Sequence, residues 1–131
     1  MSQKTTYPIS IWIGTVDNRF DDYINQDEFG EECGFCQDIG QEYDVDTFST
    51  YFVDNPINIK EIIDEIPFSE SYENELLVKC NELNITNANC YVSILDESFE
   101  FEEKNKDFCG LKFVGVFNYQ LPDIWYENNI I

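Results

Sequence analysis

Cys33-Gly-Phe-Cys36 is the one spacing in this chain that matches a reactive or metal-binding motif. A C-x-x-C pair can supply half of a zinc site or shuttle between dithiol and disulfide. A closed zinc site wants four ligands. The other cysteines, Cys80, Cys90 and Cys109, are scattered singly among apolar residues, as small buried hydrophobes are. Thiolate chemistry needs a cation beside the sulfur, and none of the seven Lys and Arg lies within ten positions of Cys33 or Cys36. The pair also does not follow a strand-to-helix junction in a βαβ pattern, where a thioredoxin-like motif would stand. Two ordinary thiols, one of them buried, with no metal and no cofactor, is the reading these residues support.

The chain has no histidine. That removes the usual general base, the Ser-His and Cys-His dyads, and the commonest metal ligand. Paired carboxylates are plentiful: Asp21-Asp22, Asp27-Glu28, Glu31-Glu32, Asp96-Glu97 and Glu102-Glu103. Their abundance makes each pair uninformative about catalysis. No calcium loop with a Glu at its twelfth position is present. Asp44-Val45-Asp46 is a fragment of one. The expectation is a protein that is not an enzyme.

Where the acids fall says more than their pairing. The chain carries 27 Asp and Glu against 7 Lys and Arg, a net charge of −20 in 131 residues. From Asp17 to Asp54 there are twelve acids and one base, Arg19, a net of −11. Like charges at this density repel in the compact state. Yet 43% of residues are apolar and 16% aromatic, so a core can form where a disordered acidic chain could not form one. Acidic surfaces are repelled by nucleic acid and anionic membranes. A basic protein partner accounts for the charge; solubility is the alternative. The candidate contact residues are Asp21, Asp22, Asp27, Glu28, Glu31, Glu32, Asp44 and Asp46, with Tyr43 as an aromatic anchor among them. Asp96, Glu97, Glu100, Glu102 and Glu103 form a competing cluster, partly cancelled by Lys104 and Lys106.

The elements that must position these residues follow from periodicity. Tyr7–Gly14 alternates Ile9, Ile11 and Ile13 with Ser10 and Trp12, which predicts a strand ended by Gly14. Thr15 or Asp17 caps a helix that brings Val16, Phe20, Tyr23 and Ile24 to one face. Phe35 and Ile39 predict a short helix with Gly40 at its end. Phe48, Tyr51 and Phe52 recur at helical spacing, for a helix or an irregular packed segment. Asn58 and Glu61 open a helix with an Ile59, Ile62, Ile63, Ile66 stripe that Pro67 stops. Ser69 or Ser71 opens a longer one through Tyr72, Leu76, Cys80 and Leu83. Strands follow at Ala88–Leu95 and Leu111–Tyr119, the latter apolar on both faces apart from Lys112, which predicts a central strand. Phe99 and Phe101 extend the former strand toward a hairpin turn at Lys104–Asp107. Trp12, Ile62, Ile63, Leu76 and Phe113 should share one core.

The fold class is α+β: a small, mostly antiparallel sheet, made of the N-terminal strand plus a C-terminal hairpin, packed against several helices. Residues 1–131 read as a single domain with 121–131 a loosely docked tail. No run of apolar residues reaches membrane-spanning length, and no signal peptide is evident. With an odd number of cysteines, this predicts a cytoplasmic protein, monomeric when free.

Ile9-Ser-Ile-Trp-Ile-Gly14, the aromatic-bearing helix after it, Phe35-x-x-Asp38-x-Gly40, Tyr43-Asp44-x-Asp46 and Leu111-x-Phe113-x-Gly115-x-Phe117 together resemble the bacterial immunity protein 22 family. The resemblance runs over roughly residues 7 to 120. It implies a small cytoplasmic antidote of a polymorphic toxin system, which binds and neutralises a cognate toxin domain, such as a basic nuclease. It does not require the Cys33/Cys36 pair and brings no catalytic residues. An acidic inhibitor or nucleic-acid mimic directed at another basic protein is the alternative, and a small metal-dependent or thiol enzyme a third.

Overall fold

A computed structural model describes residues 6–95, 99 and 107–120. Five strands form one antiparallel sheet in the order β2-β3-β1-β5-β4. They are β1 (Thr6–Gly14), β2 (Phe48–Asn58), β3 (Asn87–Ile94), β4 (Asp107–Phe108) and β5 (Leu111–Gln120). The α+β class holds: β1 is the middle strand, paired to β3 on one side and β5 on the other, and β5 is interior too, though its outer neighbour β4 spans only two residues. β5 is covered less completely: Val116 is exposed while Leu111, Val114 and Phe117 are buried. Its apolar run is interrupted where the register slips opposite Ile11 and Trp12. The slip, with Val114 as the extra residue, lets Val114 and Phe117, three positions apart, join the same face, while Leu111 and Phe113 lie on the other.

The alternation along β1 sends its isoleucines and its tryptophan to opposite sides of the sheet, and a different layer covers each. Ile9, Ile11 and Ile13 join Ile62, Ile63, Ile66, Tyr72, Leu76 and Cys80. These come from α4 (Ile59–Ile63) and the turn that follows it, from Tyr72 between the 3₁₀ turn Ser69–Ser71 and α5, and from α5 (Glu73–Glu82) itself. Trp12 joins Val16, Phe20, Cys33, Phe35, Cys36, Ile39, Tyr43, Val92, Phe108 and Leu111. This second layer is built on α1 (Phe20–Tyr23), α2 (Gln26–Phe29), the 3₁₀ turn Gly30–Glu32 and α3 (Gly34–Ile39). The single core expected from the sequence is therefore two cores. Trp12 and Phe113 belong to one, and Ile62, Ile63 and Leu76 to the other.

Local rules explain most element ends. Asn58 caps α4 by accepting the Lys60 N–H at 2.9 Å. α4 runs only to Ile63, but two further turn bonds carry Ile66 onto the same stripe before Pro67. Neither Ser69 nor Ser71 caps α5; they form the 3₁₀ turn, and Tyr72 precedes the helix without a side-chain cap. Asp17 does not cap α1 in the usual way. It accepts from the Arg19 N–H and pairs with the Arg19 guanidinium at 2.9 Å. Arg19 occupies the cap position, and the helix lasts four residues. Gly40 ends α3 in the left-handed region at φ 76°, as its position predicts.

Phe48–Phe52 is strand, not helix. Phe48, Thr50 and Phe52 point to the Trp12 side, while Ser49 and Tyr51 pair with Ser93 and Tyr91 on the other. Aromatic residues on both faces produced the false helical spacing. The C-terminal hairpin turns at Cys109-Gly110, beyond the expected Lys104–Asp107 turn, whose last residue, Asp107, is already in β4; Cys109 has φ 59° and Gly110 φ 101°. Two adjacent positive φ values suit a two-residue turn between twisted strands. Gly14 is packed on this turn: a Cβ there would lie 2.2 Å from the Gly110 carbonyl oxygen. The expected strand through Phe101, the competing acids 96–103 and the tail 121–131 lie outside the described residues, save Phe99, whose ring packs on Trp12 at 5.9 Å.

Candidate functional site

The layer over Trp12 is short in regular structure and rich in side-chain bonds that fix its loops. Asn25 caps α2, accepting from the Glu28 N–H at 3.0 Å. Gln26 then clamps the Tyr43 peptide. Its Nε2 donates to the Tyr43 carbonyl at 2.9 Å, and its Oε1 accepts from the Tyr43 N–H at 2.8 Å. The Tyr43 hydroxyl donates to the Ile24 carbonyl, and the Tyr23 hydroxyl to Asp38 at 2.6 Å. Asp44 accepts from the Asp46 N–H at 2.9 Å, closing the turn that carries Val45. Asn89, buried on β3, donates to the Val16 carbonyl at 2.9 Å and accepts its N–H at 2.8 Å. That pair of bonds ties the chain leaving β1 to the sheet. Each satisfies backbone groups that loops would otherwise bury unpaired.

These clamps hold the acids outward. Asp21, Asp22, Asp27, Glu28, Glu31, Glu32, Asp44 and Asp46 are all exposed. Among the described residues none of the eight forms an ion pair. They come from α1, α2, the following 3₁₀ turn and the 44–47 turn, all in the layer over Trp12. Tyr43 is placed differently from the acids. It is 9% exposed, its ring stacks on Phe48 at 4.2 Å, and burial pushes its phenol up to about 12. It anchors the loop to the core and offers no protruding ring. Trp12 is wholly buried beneath the same layer, with Phe35 and Phe113 against its ring.

Sequence reasoning passed over the apolar residues set among the acids. Phe29 is 43% exposed between Glu28 and Gly30, and Val45 is 57% exposed between Asp44 and Asp46. An apolar residue flanked by acids, in a stretch without periodicity, is the available signal. It also passed over Asn25 and Gln26, whose bonding partners are visible only once the loops meet.

Cys33 and Cys36 are both buried thiols, with sulfurs 2.8 Å apart. Among the described residues no group of three or more His, Cys, Asp or Glu is arranged to hold a metal ion. No described helix is long and apolar enough to cross a membrane. Comparison with curated proteins and with solved structures finds no match. The profile of Immunity protein 22, however, matches residues 9–120, from the isoleucine run of β1 to the end of β5, and the chain belongs to that family.

Proposed function

We propose that this protein binds and neutralises a cognate basic toxin domain, with nuclease-type toxins the best fit, and that it does so as a binding protein without catalysis. The observation that carries this reading is the set of eight exposed, unpaired acids gathered on the layer over Trp12, with Phe29 and Val45 among them. Membership of the immunity family supplies the class of partner. The acids supply the reason such a partner is caught fast. Charge complementarity raises association rates toward about 10⁸–10⁹ M⁻¹s⁻¹ at low salt, against about 10⁵–10⁶ for a neutral pair. A nuclease domain built to hold phosphates presents the complementary positive field. Exposed aromatic and aliphatic groups within the acidic field supply the desolvated contacts that hold the complex.

The test uses a basic toxin domain that co-purifies with this protein, with binding measured by stopped flow. Reversing Asp27, Glu28, Glu31 and Glu32 to Lys should slow association by roughly 10–10³-fold at low salt. The loss should shrink at physiological salt. Phe29→Ala should instead speed dissociation. Association that ignores both the reversal and the salt would overturn the placement of the surface.

A further inference from the structure

We propose that Cys33 and Cys36 are a reversible thiol–disulfide site, closed into an intramolecular disulfide by exchange with a small cationic disulfide. This site borders the toxin-binding surface proposed above, sharing Glu31 and Glu32 with it, but does not depend on toxin binding. The two sulfurs lie 2.8 Å apart, inside the ~3.5–4.0 Å at which side chains merely pack. A disulfide of about 2.05 Å requires them to close by less than about 1 Å. The Cys33 sulfur accepts the Cys36 N–H at 3.3 Å, which holds it toward its partner. Closure replaces the Cys33 S–H to Cys36 Sγ bond by the covalent one and costs one further weak bond, the Cys36 S–H to Gln26 Oε1 at 3.2 Å. Gln26 keeps both of its bonds to Tyr43, so the loop clamp survives.

The surroundings choose the reagent. Cys36 lines a surface depression of about 320 Å³ whose other walls are Glu31, Glu32, Gln37, Gly40, Gln41 and Glu42. Three carboxylates at its mouth concentrate a cation and repel an anion. Burial, with the bond to the Cys33 thiol, pushes Cys36 up to about 12. The small thiolate fraction at neutral pH slows every reagent alike, so local concentration decides between differently charged reagents.

The exchange balances in two steps. The Cys36 sulfur, its proton lost to solvent, attacks one sulfur of R–S–S–R. The reagent's S–S bond breaks, and one RS⁻ leaves and takes up a proton. The Cys33 sulfur, likewise deprotonated, then attacks the Cys36 sulfur of the mixed disulfide and displaces the second RS⁻, which also takes up a proton. The two protein thiols are oxidised by two electrons, and the reagent is reduced to two RSH.

The test compares dicationic cystamine, neutral bis(2-hydroxyethyl) disulfide and dianionic oxidised glutathione on the folded protein. Cys109→Ser removes the half-buried competing thiol, and the unsubstituted chain is run in parallel. Intact mass and peptide mapping should find a Cys33–Cys36 link, with two hydrogen atoms lost, reversed by dithiothreitol. Cystamine should close it roughly tenfold or more faster than oxidised glutathione at low salt. Glu31→Gln with Glu32→Gln should narrow that gap. Cys33→Ser should stop at a mixed disulfide on Cys36. Circular dichroism checks that each variant is folded. No link in the folded protein, or a link only in denaturant, overturns the site. Equal rates for the three reagents overturn its selectivity.

Discussion

Under α4 and α5 the sheet packs Ile9, Ile11 and Ile13 against isoleucine and leucine from helices whose stripes repeat every three or four residues. On the opposite face Trp12, from the same strand, meets Phe35, Phe113 and Phe108 with ring centroids 5.1–5.9 Å apart. The layer above it has no helix longer than six residues. One cover is regular and held by aliphatic burial. The other is irregular and held by rings and by side chains bonded to loop backbone. Charge follows the same division. Residues 15–47 carry eleven acids and one arginine, a net of −10, against seven acids and two lysines, a net of −5, over residues 59–85. In the second stretch Lys60 pairs with both Asp64 and Glu73, and Lys79 with Glu82. Asp17 pairs with Arg19 and Asp38 accepts from Tyr23, but the eight candidate acids of the irregular cover form no ion pair among the described residues, and its loops are shaped largely by neutral bonds. That leaves their charge available to the partner proposed above.

The sharpest way to break the comparison is to remove the ring on which the irregular cover closes. Trp12→Ala should cost about 3–5 kcal/mol in a denaturant melt. It should also loosen α1 to α3 first, seen as faster amide exchange there than in α5. Uniform loosening of both covers would mean that the two cores are one. Leu76→Ala on the regular side should cost about 2–5 kcal/mol, with exchange in α3 left protected. A change of a few tenths of a kcal/mol would show that α5 does not depend on its stripe.

Asn89→Ala attacks the bonding between sheet and cover. It leaves the Val16 N–H and carbonyl without partners, at about 1–3 kcal/mol for each group that water cannot reach. The loss should be larger than for Asn81→Ala, an exposed position on α5. Equal losses would show that water replaces the Asn89 side chain without cost, and that burial rather than bonding fixes the exit from β1.

The same contrast governs how much was legible before the structure. The Ile59, Ile62, Ile63, Ile66 stripe and the alternation of β1 are direct readings of period, because one aliphatic face buries and the other does not. Gly40 was legible because a helix end in the left-handed region favours glycine. β2 was not: aromatic residues face both ways along Phe48–Phe52, which erases the period of two. Leu111–Tyr119 lies between β1 and β4, as its apolar run predicts, but β4 pairs only with Leu111 and Lys112, and the register slip helps decide which of its residues face a core. For the candidate site, the concentration of acids could be read from order alone. Phe29 and Val45, and the buried place of Tyr43, depend on where loops cross, and loop crossings are set by long-range bonds such as Gln26 to Tyr43.

The smallest expected effect tests the charge half of the comparison. Glu42 and Asp46 are exposed and make no side-chain hydrogen bond or ion pair among the described residues. In a field of −10, neutralising them removes repulsion and no attraction. Glu42→Gln with Asp46→Asn should therefore raise the melting temperature at low salt. On the other cover, Glu73→Gln removes a partner of Lys60 and should lower it. The sign of Lys60 agrees: its carboxylate partners, Glu73 first, raise its pKa. That contribution is present below the ordinary lysine pKa and lost only as pH rises through the raised value. Both differences should fade together as salt approaches 1 M, where the Debye length falls to about 3 Å. If neutralising Glu42 and Asp46 instead lowers the melting temperature at every salt concentration, those carboxylates hold the loop. The irregular cover would then be built on its acids, and they would not be free for a partner.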